Sequence, residues 1–228
     1  MNAVQETVKL EIKRPAGDAL LEGNLVVPQG AVGVILFAHG SGSSRHSPRN
    51  SAVAAAFLKA ALGALRFDLL SSEEEAMDAR TTLLRFDIAL LATRLICAVD
   101  WIGTRAETKG LPICLFGAST GASAALVAAA RRPSVVQVVV SRGGRPDLAE
   151  GSLPSVKAPT LLIVGERDTE VLALNRHAQK TSRCENKLEI VPGATHLFEE
   201  PGALDKVAQL ARDWFLQKLR QNQSHPSH

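Results

Sequence analysis

The chain has 228 residues, 46% of them apolar, with a formal net charge of +3, three cysteines and no tyrosine. Length and apolar fraction suit one α/β domain of 228 residues with a sizeable core. Scattered Lys and Arg with only two Trp argue against a nucleic-acid surface, and the lack of an apolar run of about 20 residues argues against a membrane span. Cys97, Cys114 and Cys184 are odd in number and form no C-x-x-C, so they read as reduced thiols. The polar start, MNAVQETVKLEIKR, does not resemble a signal peptide, and a cytoplasmic protein is expected.

Val8–Ile12 and Ala19–Val27 alternate weakly around Pro15-Ala16-Gly17-Asp18 and predict an antiparallel N-terminal hairpin. Gly33–Ala38 (GVILFA) reads as a fully buried strand. The glycine-serine loop His39–His46 comes next, and then a helix over Arg49–Leu62 with Pro48 suited to its first turn. Ala64–Leu69 is a short strand. In the run Ser71-Ser72-Glu73-Glu74-Glu75, Ser72 with Glu75 fits a capping box. A long helix is expected over Thr82–Thr104, with Ile88, Leu91, Leu95, Val99 and Ile102 on one stripe. Further on, Val135–Ser141, Thr160–Val164 and Lys187–Val191 read as strands, and Val171–Thr181 and Ala203–Leu219 as helices. The tail from about residue 221 is expected to fray. Strands alternating with helices from Gly33 onward predict a mostly parallel sheet covered on both faces.

The stretch Pro112–Gly121, PICLFGASTG, concentrates the chemistry. It is G-x-S-x-G between a strand (Ile113–Phe116) and an Ala-rich helix (Ala122–Ala130), the context in which this motif forms a nucleophile elbow. Gly117 and Gly121 remove Cβ atoms that such a turn would crowd, and the Thr120 amide faces the same space as Ser119 Oγ. A serine needs a base and a group to orient it. His196 stands on the loop after Lys187–Val191. The loop after Thr160–Val164 supplies Asp168, deep enough to reach back, with Glu166 and Glu170 as alternatives. His177 falls within a helix, and His225 and His228 lie in the tail.

The runs HGSGSSRHSPRN, GASTG, GERDTEV and GATHLFEEPGAL together resemble an α/β-hydrolase of the dienelactone-hydrolase-like group, from about Gly33 to Leu219. The resemblance implies the α/β-hydrolase fold and a Ser119–Asp168–His196 triad; only Arg142 to Pro159 separates the strand after the elbow from the next, too few residues for a large cap. It also implies an oxyanion hole made by the Thr120 and Ser41 amides. The name-giving enzymes of that group use cysteine where this chain has Ser119, which favours ordinary esterase chemistry, and an open site without a cap suits short-chain esters, with lactones and thioesters as further candidates. Arg45, Arg142 and Arg145 are candidates to bind a substrate carboxylate, unless local acids such as Asp147 pair with them. No cofactor is expected, because the Gly40–Ser44 loop lacks a Gly-Lys-Ser/Thr end and Arg45 stands at the third glycine of G-x-G-x-x-G. No metal is expected either, since His39, His46 and a cysteine fit no usual ligand spacing. The partner implied is a small-molecule ester. A binding module or an acyltransferase of the same fold is the other reading.

Overall fold

The structure is a computed structural model that describes residues 3–12 and 18–224. Its spine is one eight-stranded sheet in the order β1-β2-β4-β3-β5-β6-β7-β8. β1 (Ala3–Ile12) and β2 (Ala19–Pro28) pair antiparallel with Val8 opposite Gly23. Residues Pro15–Gly17 of the expected turn lie outside the described residues. β2 is also antiparallel to β4 (Leu62–Phe67). From β4 onward, β3 (Gly33–Ala38), β5 (Ile113–Ala118), β6 (Val136–Arg142), β7 (Thr160–Gly165) and β8 (Asn186–Val191) all run parallel. Every residue of β3, β5 and β7 is buried, as continuous apolar runs require when helices cover both faces.

Two cores result. On one face, α1 (Pro48–Lys59) and α6 (Ala203–Ser224) bury Val53, Phe57, Val207 and Phe215 against Ile35, Phe116 and Val140. Phe57 sits edge-on to Phe215, with ring centroids 5.5 Å apart. On the other face, α3 (Ile88–Thr104) and α4 (Thr120–Arg131) bury Leu91, Leu95, Val99 and an alanine-rich stripe. Small side chains on α4 let that helix lie close to the strands it follows. α5 (Thr169–Thr181) joins β7 to β8, and a 3-10 stretch, Pro146–Ser155, is all that separates β6 from β7 apart from short turns.

Three expectations are corrected. The capping box lies one residue earlier: Ser71 Oγ accepts the Glu74 N–H and Glu74 accepts the Ser71 N–H, starting α2 (Ser72–Thr81). The helix expected over Thr82–Thr104 is broken. Thr82 turns left-handed at φ +57, and the Asp78 carboxylate accepts the Leu84 and Arg85 amides; Asp87 then caps α3 by accepting the Leu90 N–H. Finally, α6 continues to Ser224, past the expected fraying point, while 225–228 lie outside the described residues.

Candidate active site

The turn from β5 into α4 holds Ser119 at φ +50 and ψ −120, a strained conformation for a residue with a side chain. Two glycines make the turn possible. A Cβ on Gly117 would lie 2.4 Å from Ala122 Cα, and one on Gly121 would lie 2.2 Å from the Ala38 carbonyl oxygen. The Ser119 N–H donates to the Arg142 carbonyl at 3.1 Å, which anchors the turn to β6.

His196 and Asp168 approach from the two strands beyond. A Cβ on Gly165, at the end of β7, would lie 2.4 Å from the Ala194 carbonyl oxygen, so the histidine loop can rest directly on the strand end. His196 Nε2 lies 3.3 Å from Ser119 Oγ, and Nδ1 lies 2.6 Å from Asp168 Oδ2. A carboxylate only accepts, so Nδ1 carries the proton and Nε2 is left to accept from the serine. Asp168 is largely enclosed and His196 half-buried. The alternative acids are used elsewhere: Glu166 accepts the Gly193 N–H at 2.8 Å, and Glu170 sits in the first turn of α5.

The loop after β3 packs against the elbow, with a Cβ on Gly40 only 3.1 Å from Ser119 Cβ. His39 supports it from below. Its Nε2 accepts the Leu69 N–H at 3.1 Å, so the protonated Nδ1 donates to the Gly40 carbonyl. Burial lowers the pKa of this imidazole, against smaller opposing effects of that carbonyl and of Asp68. Of the two expected oxyanion donors, the Thr120 N–H has no hydrogen-bond partner among the described residues. The Ser41 N–H instead donates to the Thr120 hydroxyl at 2.9 Å. Beside this loop opens a cavity of about 340 Å³, lined among others by Ser41, Thr120, Leu69, Leu91, Glu75 and Arg85. The last two come from α2 and the 3-10 turn after it, which no motif in the sequence ties to the elbow.

The three candidate arginines differ in what they are bound to. Arg45 pairs with Asp68 and Glu22, and Arg145 makes a two-pronged pair with Asp147 at 2.9 and 2.7 Å, so local acids take both. Among the described residues Arg142 has no carboxylate partner. It is 8% exposed, its Nε and Nη1 are buried without a hydrogen bond, and its guanidinium stands 6.0 Å from the Phe198 ring. Burial, with Arg49 nearby, lowers its pKa to about 10, so it keeps its charge at neutral pH. Cys114 is enclosed in the core, where burial pushes its thiol pKa far up. Among the described residues no group of His, Cys, Asp and Glu could hold a metal ion, and no helix is long and apolar enough to cross a membrane.

A mostly parallel sheet with an N-terminal hairpin, and an elbow, histidine and acid loop at the strand carboxyl ends, defines an α/β-hydrolase. Residues 25–220 match the model of the dienelactone hydrolase family, and the chain belongs to that family. A crystal structure of a dienelactone hydrolase from Anabaena variabilis is 55% identical, with a TM-score of 0.88 over 94% of this chain and 98% of that one. Est1E from Butyrivibrio proteoclasticus shares the fold at 15% identity, with a TM-score of 0.77 over 93% of this chain and 99% of that one. Two Mycobacterium tuberculosis strains, CDC 1551 and H37Rv, each hold a relative provisionally named a phosphoribosyl transferase. Both are 55% identical over 209 residues, which is 92% of this chain and 46% of the relative. The chain thus spans about half the length of these curated relatives.

Proposed function

We propose that this chain is a serine hydrolase that cleaves short-chain carboxylic esters, lactones or thioesters through an acyl-enzyme. The observation that carries the reading is the chain of hydrogen bonds from Ser119 through His196 to Asp168, at a strained elbow on the sheet edge. Ser119 Oγ attacks the acyl carbonyl and its proton passes to His196 Nε2. Asp168 holds the imidazole in the required tautomer and stabilises the imidazolium. The 3.3 Å separation is in keeping with a site without substrate, where such bonds tighten on binding. The oxyanion forms at the N-terminus of α4, against the unpartnered Thr120 amide. Water on the same histidine then releases the acid. The chain acts as one domain, on a small soluble ester in the cytoplasm.

Short acyl groups are favoured because no large cap stands between β6 and β7 to enclose a long chain. The transferase name of the mycobacterial relatives gives no role to these three side chains. We assign that name to the greater part of those proteins, which this chain does not match. A fluorophosphonate probe should label the wild type and leave Ser119→Ala unlabelled, with acetyl or butyryl esters turned over faster than long-chain ones. An unlabelled wild type would favour a binding module, and acyl transfer to added alcohols or thiols outpacing hydrolysis would favour a transferase.

A further inference from the structure

We propose that the Thr120 hydroxyl, in addition to its amide, is a hydrogen-bond donor of the oxyanion hole, with the Ser41 amide acting through it. This rests on the serine-hydrolase reading above. The Ser41 N–H has one hydrogen, and it points at Thr120 Oγ1 from 2.9 Å, across 79 residues of sequence. The amide expected to meet the oxyanion therefore meets a hydroxyl.

A hydroxyl has two lone pairs and one proton. In Thr120 one lone pair takes the Ser41 N–H, while the O–H proton has no acceptor among the described residues. The residue is only 3% exposed, yet it lines the cavity that Gly40 and Ser41 also line, and it directly follows Ser119 in the chain. A buried donor with its lone pair already engaged and its proton uncommitted is set up to meet negative charge. Accepting from Ser41 also polarises the O–H and strengthens the bond it can give. Two branches on Cβ restrict the side chain, so little rotamer freedom is lost when it donates. In the step itself the Ser119 Oγ–carbon bond forms and the carbonyl π pair moves onto oxygen. The Ser119 proton goes to His196 Nε2, and Thr120 keeps its own proton throughout. The oxyanion then accepts from the Thr120 N–H and O–H together.

The rival arrangement has the hydroxyl as a plug that must rotate away to free Ser41. Thr120→Val, which exchanges the hydroxyl for a methyl, separates the two. We expect kcat for a short-chain ester to fall about 100-fold, the usual loss for one oxyanion donor, with KM within a few-fold. Affinity for a trifluoromethyl ketone, whose adduct with Ser119 carries the oxyanion, should fall by a similar factor, and Thr120→Ser should regain most of both. If Thr120→Val does not fold by thermal melting, Thr120→Ala carries the test. Either variant matching or exceeding the wild type in kcat and inhibitor affinity overturns the proposal. A wild type that labels with fluorophosphonate while Thr120→Val turns over normally removes this inference alone. A wild type that neither labels nor turns over esters removes the hydrolase reading and this inference with it.

Discussion

At Gly121 a single hydrogen atom decides whether the elbow can form. A methyl there would lie 2.2 Å from the Ala38 carbonyl oxygen and 2.4 Å from that of His39, both backbone atoms with no flexible tip to give way. Gly121→Ala should destabilise the protein by at least about 3 kcal/mol, read from the urea midpoint, because overpacking here meets backbone. A midpoint within error of wild type would mean that β3 and α4 are not pressed together as described. Arg142 sets a second test at this scale. A guanidinium buried without a carboxylate is costly unless an anion completes it. With a charged hydrogen bond worth about 1.5–3 kcal/mol, Arg142→Ala should lower the ratio of acidic to neutral ester turnover roughly tenfold or more. An unchanged ratio would leave Arg142 as a support beneath the Phe198 loop.

Among the elements, α1 and α6 illustrate how packing far from the chemistry holds the frame. Phe57 is fully buried and touches the rings of Phe37, Phe116 and Phe215, with centroids 5.5 to 5.7 Å away. Phe57→Ala should cost about 3–5 kcal/mol by denaturant titration, while Ser119 labelling in the folded fraction stays intact. A loss under about 1 kcal/mol would show that the helix pair can collapse around the gap. The α2 segment follows a different logic. Asp78 is its only buried residue, and that carboxylate binds Arg85 and two amides of the following turn. This element, which brings Glu75 and Arg85 to the cavity, is thus held by polar bonds more than by a core.

For the whole molecule, one imidazole couples the loop after β3 to global stability. His39 is held neutral, since its Nε2 accepts the Leu69 N–H and burial opposes the charge. Its folded pKa therefore lies below the ordinary 6.5, and below that pH the unfolded chain binds the extra proton first. Stability from this group is present above about pH 6.5 and is lost as pH falls toward the folded value. The melting temperature should drop more steeply below pH 6.5 in the wild type than in His39→Gln, whose side-chain oxygen can still accept from Leu69. Parallel slopes would show that the carboxylates, and not His39, govern acid unfolding.

The order of strands and helices, the hairpin and the elbow were legible because each is written in local sequence, whereas the acid loop offered Asp168, Glu166 and Glu170 alike. Continuous apolar runs mark strands buried on both faces, and paired glycines mark a turn that tolerates no Cβ. Where a pattern was locally degenerate, the tertiary structure decided. In SSEEE either serine could cap, and the ion pair of Glu74 with buried Arg94 supports the earlier register. Thr82–Thr104 reads as one helix until Asp78 draws the chain into a turn and Asp87 starts it again. The fates of Arg45, Arg142 and Arg145, and the meeting of Ser41 with Thr120, depend on groups distant in sequence or on competition among neighbours. Hydrogen bonds and ion pairs are short-range, so only the folded backbone determines which donor reaches which acceptor.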